Sequence, residues 1–119
     1  MKRLAVLVFM LGAGGALSAG AQTVTTLSRP AAGVLCDRHF CADATGVSLT
    51  LTQRYLGEKP YQALQSAGQF NRTQFTFENG VFCDVAEKLC REDRYFGLDG
   101  KRSGAVHKGY TQALFAPGT

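Results

Sequence analysis

The sequence has few residues or motifs with which to do chemistry. It holds two histidines, His39 and His107, so a Ser-His-Asp constellation would have to use one of them. G-x-S-x-G and H-E-x-x-H are both absent, which removes the usual hydrolase nucleophile turn and the zinc-protease helix. No D-x-D-x-D-G run offers a calcium loop, and no C-x-x-C offers a thioredoxin-type redox pair. After residue 21 no apolar run approaches the roughly 20 residues that a membrane-spanning helix needs. A lipoprotein would carry cysteine at its cleavage point, but the first cysteine is Cys36.

The chain opens "MKRLAVLVFMLGAGGALSAGAQ". A basic start, an uncharged apolar run over 4–17 and Ala19-Gly20-Ala21 as a small-x-small site predict a secretory signal peptide over residues 1–21. Glycines 12, 14 and 15 fall inside it, so they cradle no phosphate. Removal of Lys2 and Arg3 lowers the formal charge from +4 to +2, and nothing in that balance calls for nucleic acid. A periplasmic or secreted protein with no membrane span follows, with residues 22–33 as a flexible lead and 34–116 as one small domain. A domain of this size leaves much surface exposed and gains from covalent staples. All four cysteines lie in it, as expected of a disulfide framework in a short exported chain.

"VLCD" and "FCAD" flank Arg38-His39 as two short strands about a turn, which sets Cys36 across from Cys41. At a non-hydrogen-bonded pair the Cα atoms approach to about 4.5 Å, within reach of a disulfide. "DATG" (43–46) has the composition of a type I turn. Ser48 as N-cap and Gly57 as stop predict a helix over 48–56. Pro60 suits the first turn of a second helix ending before Gly68. Asn79-Gly80 between aromatic runs predicts a type I′ hairpin with Phe77 facing Phe82. The strand ending at Asp84 turns through 85–88 and returns over 89–92, so Cys83 faces Cys90. Ser103 is the expected cap of a last helix in which Val106, Tyr110 and Leu114 share a face. "GVLCD" and "RYLG" recur as "GVFCD" and "RYFG", a faint internal duplication. Together these elements predict an α+β fold. A small antiparallel sheet of short strands and hairpins carries two or three short helices.

Four cysteines allow three pairings. Chain entropy favours the long bridges, at roughly 4 kcal/mol against roughly 2–2.5 for 36–41 or 83–90. The facing positions in both turns favour the local pairs, and geometry is weighted more heavily here.

"CADATGVSLTLTQRYLG" with "FTFENGVFCD" and "LCREDRYFGLDGKRS" resembles the YcgJ-type, Fels prophage protein-like family of bacterial envelope proteins. The resemblance runs from about Cys36 to Phe115. It implies a small exported protein and brings no activity, cofactor or ligand residue with it.

Two functional readings remain. The favoured one is a non-catalytic envelope protein that binds a protein or an anionic envelope component. Its contact region would be Arg91, Arg94, Tyr95, Phe96, Lys101 and Arg102, where basic and aromatic groups share a loop. A purely structural account of that loop would turn Tyr95 and Phe96 into the core and leave the cations to solvation. The second reading is a small periplasmic metal-binding or thiol-redox protein using Cys36, His39 and Cys41, with His107 as a distant further ligand. The loose C-x4-C spacing and an oxidising compartment weigh against it, and His107 is expected on the exposed side of the last helix. No cofactor is implied.

Overall fold

The strands form around the two cysteine pairs. In the computed structural model, which describes residues 26–117, β1 (Leu35–Cys36), β2 (Cys41–Asp43) and β3 (Gly46–Ser48) make one antiparallel sheet in the order β1-β2-β3. Cys36 pairs with Cys41, the two are disulfide-bonded, and their Cα atoms are 4.1 Å apart. Asp37 closes the turn. Its Oδ1 accepts from the amides of His39 and Phe40, the side-chain-to-backbone bonding for which aspartate is favoured in turns. Two helices follow, α1 (Leu49–Leu56) and α2 (Glu58–Ser66). Ser48 caps α1 by accepting from the Leu51 amide, and Gly57, at φ 93°, ends it.

The second sheet is β4 (Gln74–Thr76), β5 (Phe82–Asp84) and β6 (Leu89–Arg91), in that order and antiparallel. Cys83 pairs with Cys90 across β5–β6, and their disulfide holds the Cα atoms 4.0 Å apart. Helix α3 (Lys108–Phe115) completes the chain. The fold is therefore α+β with two local disulfides, as the facing positions indicated.

One main core joins both sheets. Leu35 and Ala42 from the first, Phe75, Cys83 and Cys90 from the second, and Leu114 from α3 lie within it. Side chains alternate across a strand, so Cys36 and Cys41 take the other face of the first sheet. There they pack with Val34 against Leu51, Tyr55 and Leu56 of α1.

Several expectations need correction. The packed chain begins well before residue 34: Leu27 is buried in the main core and Ser28 bridges to Cys36. The signal peptide expected over residues 1–21, and residues 22–25, lie outside the described residues. The Asn79-Gly80 hairpin is displaced by one residue, because Thr76 rather than Phe77 pairs with Phe82. The Gly80 amide donates to the Phe77 carbonyl and the Phe77 amide to that of Val81. Among the turn residues only Gly80 has positive φ, at 92°. This is a three-residue loop with a left-handed glycine, not the two-residue type I′ turn. The Glu78 amide, freed from the ladder, donates to Asp37 Oδ2 and ties the two hairpin tips together.

The last helix starts after His107 rather than Ser103. His107 Nδ1 accepts from the Tyr110 amide, and its ring stacks on Tyr110 with centroids 4.2 Å apart. It is a half-buried cap, not a solvated side chain on the helix. Val106 stays extended and bridges to Arg91.

The sequence echo is a fragment of a larger structural repeat. In each half a strand residue (Ser28, Phe75) pairs with the first cysteine, and that cysteine pairs with the second. The residue after the second cysteine (Ala42, Arg91) then pairs with a valine (Val47, Val106). The valine precedes a helix cap (Ser48, His107). Four residues beyond the cap, a threonine hydroxyl (Thr52, Thr111) accepts from the amide of the second cysteine, at 2.9 Å and 2.8 Å. "GVLCD" and "GVFCD" occupy equivalent places. "RYLG" and "RYFG" do not, since the first ends α1 and the second lies in a loop.

Candidate functional site

The repeat isolates the loop that differs. Beyond the pair Ala42–Val47 the joint of the first half is residues 43–46, whereas beyond the equivalent pair Arg91–Val106 it runs over residues 92–105. All of the predicted contact residues except Arg91 lie on this long loop.

Its base is built to hold. The Glu92 amide donates to the Ala105 carbonyl. Arg91 grips Glu87, with Nη2 at 3.1 Å from Oε2, and donates to the Gly104 carbonyl at 2.9 Å. Arg91 is half-buried and fully engaged in this way, so it anchors the loop rather than facing a ligand. A Cβ at Gly104 would lie 2.6 Å from the Asp93 carbonyl oxygen, which requires glycine where the loop returns beneath itself.

Above the base, Phe96 bridges to Arg102 and the Gly97 amide donates to the Lys101 carbonyl. Arg102 is the post of the loop. Its guanidinium carbon lies 4.2 Å from the Phe82 ring centroid and 4.1 Å from that of Phe96, and Nη1 donates to the Arg94 carbonyl. A planar guanidinium stacks on aromatic faces without surrendering its charge. Arg94 lies 5.5 Å over the Tyr95 ring. Two of the three acidic residues bond to the backbone of the loop: Asp93 Oδ1 accepts from the Tyr95 amide and Asp99 Oδ1 from that of Lys101, while Glu92 stays exposed.

Tyr95 and Phe96 do not enter the core. They are 61% and 60% exposed, and Leu98 at the tip is fully exposed. Sequence reasoning missed Leu98, which becomes conspicuous only once the turn at 97–100 leaves it fully exposed. The structure therefore brings Arg94, Tyr95, Phe96, Lys101 and Arg102 onto one loop with Leu98, and sets Arg91 apart beneath them.

The second candidate cluster is dispersed. Cys36 and Cys41 are buried and disulfide-bonded, so they present no thiolate. His39 stands at the hairpin tip with Nε2 3.7 Å from Glu78 Oε1. His107 is committed to its cap. Among the described residues no group of three or more His, Cys, Asp or Glu is arranged to hold a metal. The titration outlier lies at the same tip. The Arg38 guanidinium and backbone amide both donate to Glu78, which holds the Glu78 carboxyl down at about 2 and raises Arg38. This arrangement locks one hairpin to the other.

A family model described as "YcgJ protein" matches residues 27–115. A protein of Escherichia coli (strain K12) named "Uncharacterized protein YcgJ" is 55% identical over 89 residues, covering 75% of this chain and 73% of that protein. No solved structure matches.

Proposed function

The chain belongs to the YcgJ family, and because that membership brings no activity with it, we propose a function from the loop: a non-catalytic exported envelope protein that uses residues 94–102 to bind a partner protein or an anionic envelope component. The observation that carries this reading is the contrast between equivalent joints. One half of the repeat closes with the four residues 43–46, while the other carries a well-bonded loop whose aromatics and leucine face water. Exposing three large apolar side chains has a cost in water, and clustered exposure of this kind marks contact sites. Aromatic and arginine residues are also those that anchor interfaces. Export is supported by the basic-apolar N-terminal segment and by two disulfides in so short a chain. No helix among the described residues is long and apolar enough to cross a membrane.

The test is photo-crosslinking in cells from position 98, compared with exposed position 65 on α2 as control. A discrete adduct from position 98 alone, lost when Arg94→Glu and Lys101→Glu are combined, identifies a protein partner. Salt-sensitive retention on an anionic polysaccharide, lost in the same variant, identifies the other partner class. If every detected interaction survived both the charge reversal and Tyr95→Ala with Phe96→Ala, the loop would not be the site.

A further inference from the structure

A second surface shares no residue with that loop. Helix α2 has an apolar stripe, Pro60, Ala63, Leu64 and Ala67, at the spacing that normally faces a core, yet none of its residues is buried. Its contacts are chiefly with α1. Leu64 reaches the edge of the main core half-buried, and the stripe also forms one wall of a groove of about 420 Å³, with the tip of the β1–β2 hairpin as the other wall. That volume lies within the roughly 300–1,000 Å³ of small-molecule sites.

The opposite wall is rigid. Phe40 is stacked on Phe77 with centroids 4.9 Å apart and meets Phe75 edge-on at 6.0 Å. The fixed charges on the rim are of one sign: Arg38 and Lys59 line the groove with His39, and no carboxylate does. Glu78 stands just behind and takes up the charge of Arg38. Lys59 has no ion-pair partner among the described residues. The groove thus offers an apolar body and one uncompensated positive charge.

We propose that this groove binds a single-chain organic monoanion, with its alkyl body between Phe40 and Leu64 and its carboxylate beside Lys59. Charge complementarity selects the occupant, since a neutral chain would leave Lys59 unpaired and a cationic one would meet it with repulsion.

Decanoate, decanol and decyltrimethylammonium, titrated into the oxidised protein and followed by amide NMR, separate these cases. The expected result is saturable 1:1 binding of decanoate with shifts confined to residues 38–40 and 59–67, and progressively weaker binding of decanol and the cation. Lys59→Glu should weaken decanoate about fivefold, the scale of an exposed charge pair. Ala63→Trp, at an exposed position, should fill the groove and abolish binding. Equal binding of the three probes, or shifts centred elsewhere, would overturn the proposal. So would anionic phospholipid vesicles that bind Ala63→Trp as well as wild type while decanoate does not bind, because the charge would then serve a membrane surface. Because Lys59 is an exposed side chain in the first turn of α2, folding of Lys59→Glu is secure, and its outcome alone decides the electrostatic half.

Discussion

Thr52→Val isolates the bond on which each half of the repeat turns. Thr52 is fully buried. Its Oγ1 accepts from the Cys41 amide at 2.9 Å and donates to the Ser48 carbonyl at 2.7 Å. Valine matches threonine in shape and β-branching, so packing and helix propensity barely change. The Cys41 amide, in a residue with no exposure, would lose its acceptor. A buried donor left unsatisfied costs about 1–3 kcal/mol. We therefore expect a loss of about 2 kcal/mol, or a fall in Tm of roughly 8–16 °C for a domain of this size. Thr52→Ser keeps the oxygen and loses one methyl, which costs about 0.8 kcal/mol by transfer, so it should be the milder variant. Urea unfolding of the oxidised protein by circular dichroism measures both, provided the slope with urea is unchanged. If Thr52→Val fell within about 0.5 kcal/mol of wild type, well short of the expected penalty, or if Thr52→Ser were the worse, Thr52 would be a mere filler and the hydrogen-bonding account would be wrong.

Two further outcomes follow from the same structure. Glu78 has a folded-state value of about 2 against an ordinary 4.5, so its contribution to stability is complete above pH 4.5 and is lost as pH falls towards 2. The difference in Tm between wild type and Glu78→Gln should be constant from pH 5 to 7 and close as the pH approaches 2; a constant gap at all pH would refute the charge-based account. Gly46→Ala should be far more damaging than Gly80→Ala in the same unfolding assay. Both glycines have positive φ, but a Cβ at Gly46 would lie 2.2 Å from the Arg72 carbonyl oxygen, while one at Gly80 meets nothing within 4 Å. The Gly80 variant should lose about 1 kcal/mol, the backbone cost alone.

What could be read from the sequence was local. The Arg38-His39 turn, both cysteine pairings, the Ser48 cap and the Gly57 stop are set by residues within a few positions of one another. What failed depended on partners far along the chain. Asn79-Gly80 has the composition of a two-residue turn, but the Glu78 amide is taken by Asp37 from the other hairpin, and the loop widens by one residue. Ser103 is a better intrinsic cap than His107, yet residues 104–106 are drawn into the return beneath Asp93 and the bridge to Arg91. Of the candidate site, the charges and aromatics were visible in the sequence. Its meaning was not, because a long joint stands out only when the short joint of the other half is laid beside it.

Each disulfide joins cysteines that are neighbours in the order of synthesis: the first with the second, the third with the fourth. If the export proposed above carries the chain N-terminus first into an oxidising compartment, this order has a kinetic consequence. Cys36 and Cys41 emerge together, long before Cys83, so an oxidant that links thiols as they appear makes the native bond. The same holds for Cys83 and Cys90. Under that export, native pairing would need vectorial oxidation alone, with no reshuffling step for an isomerase to catalyse.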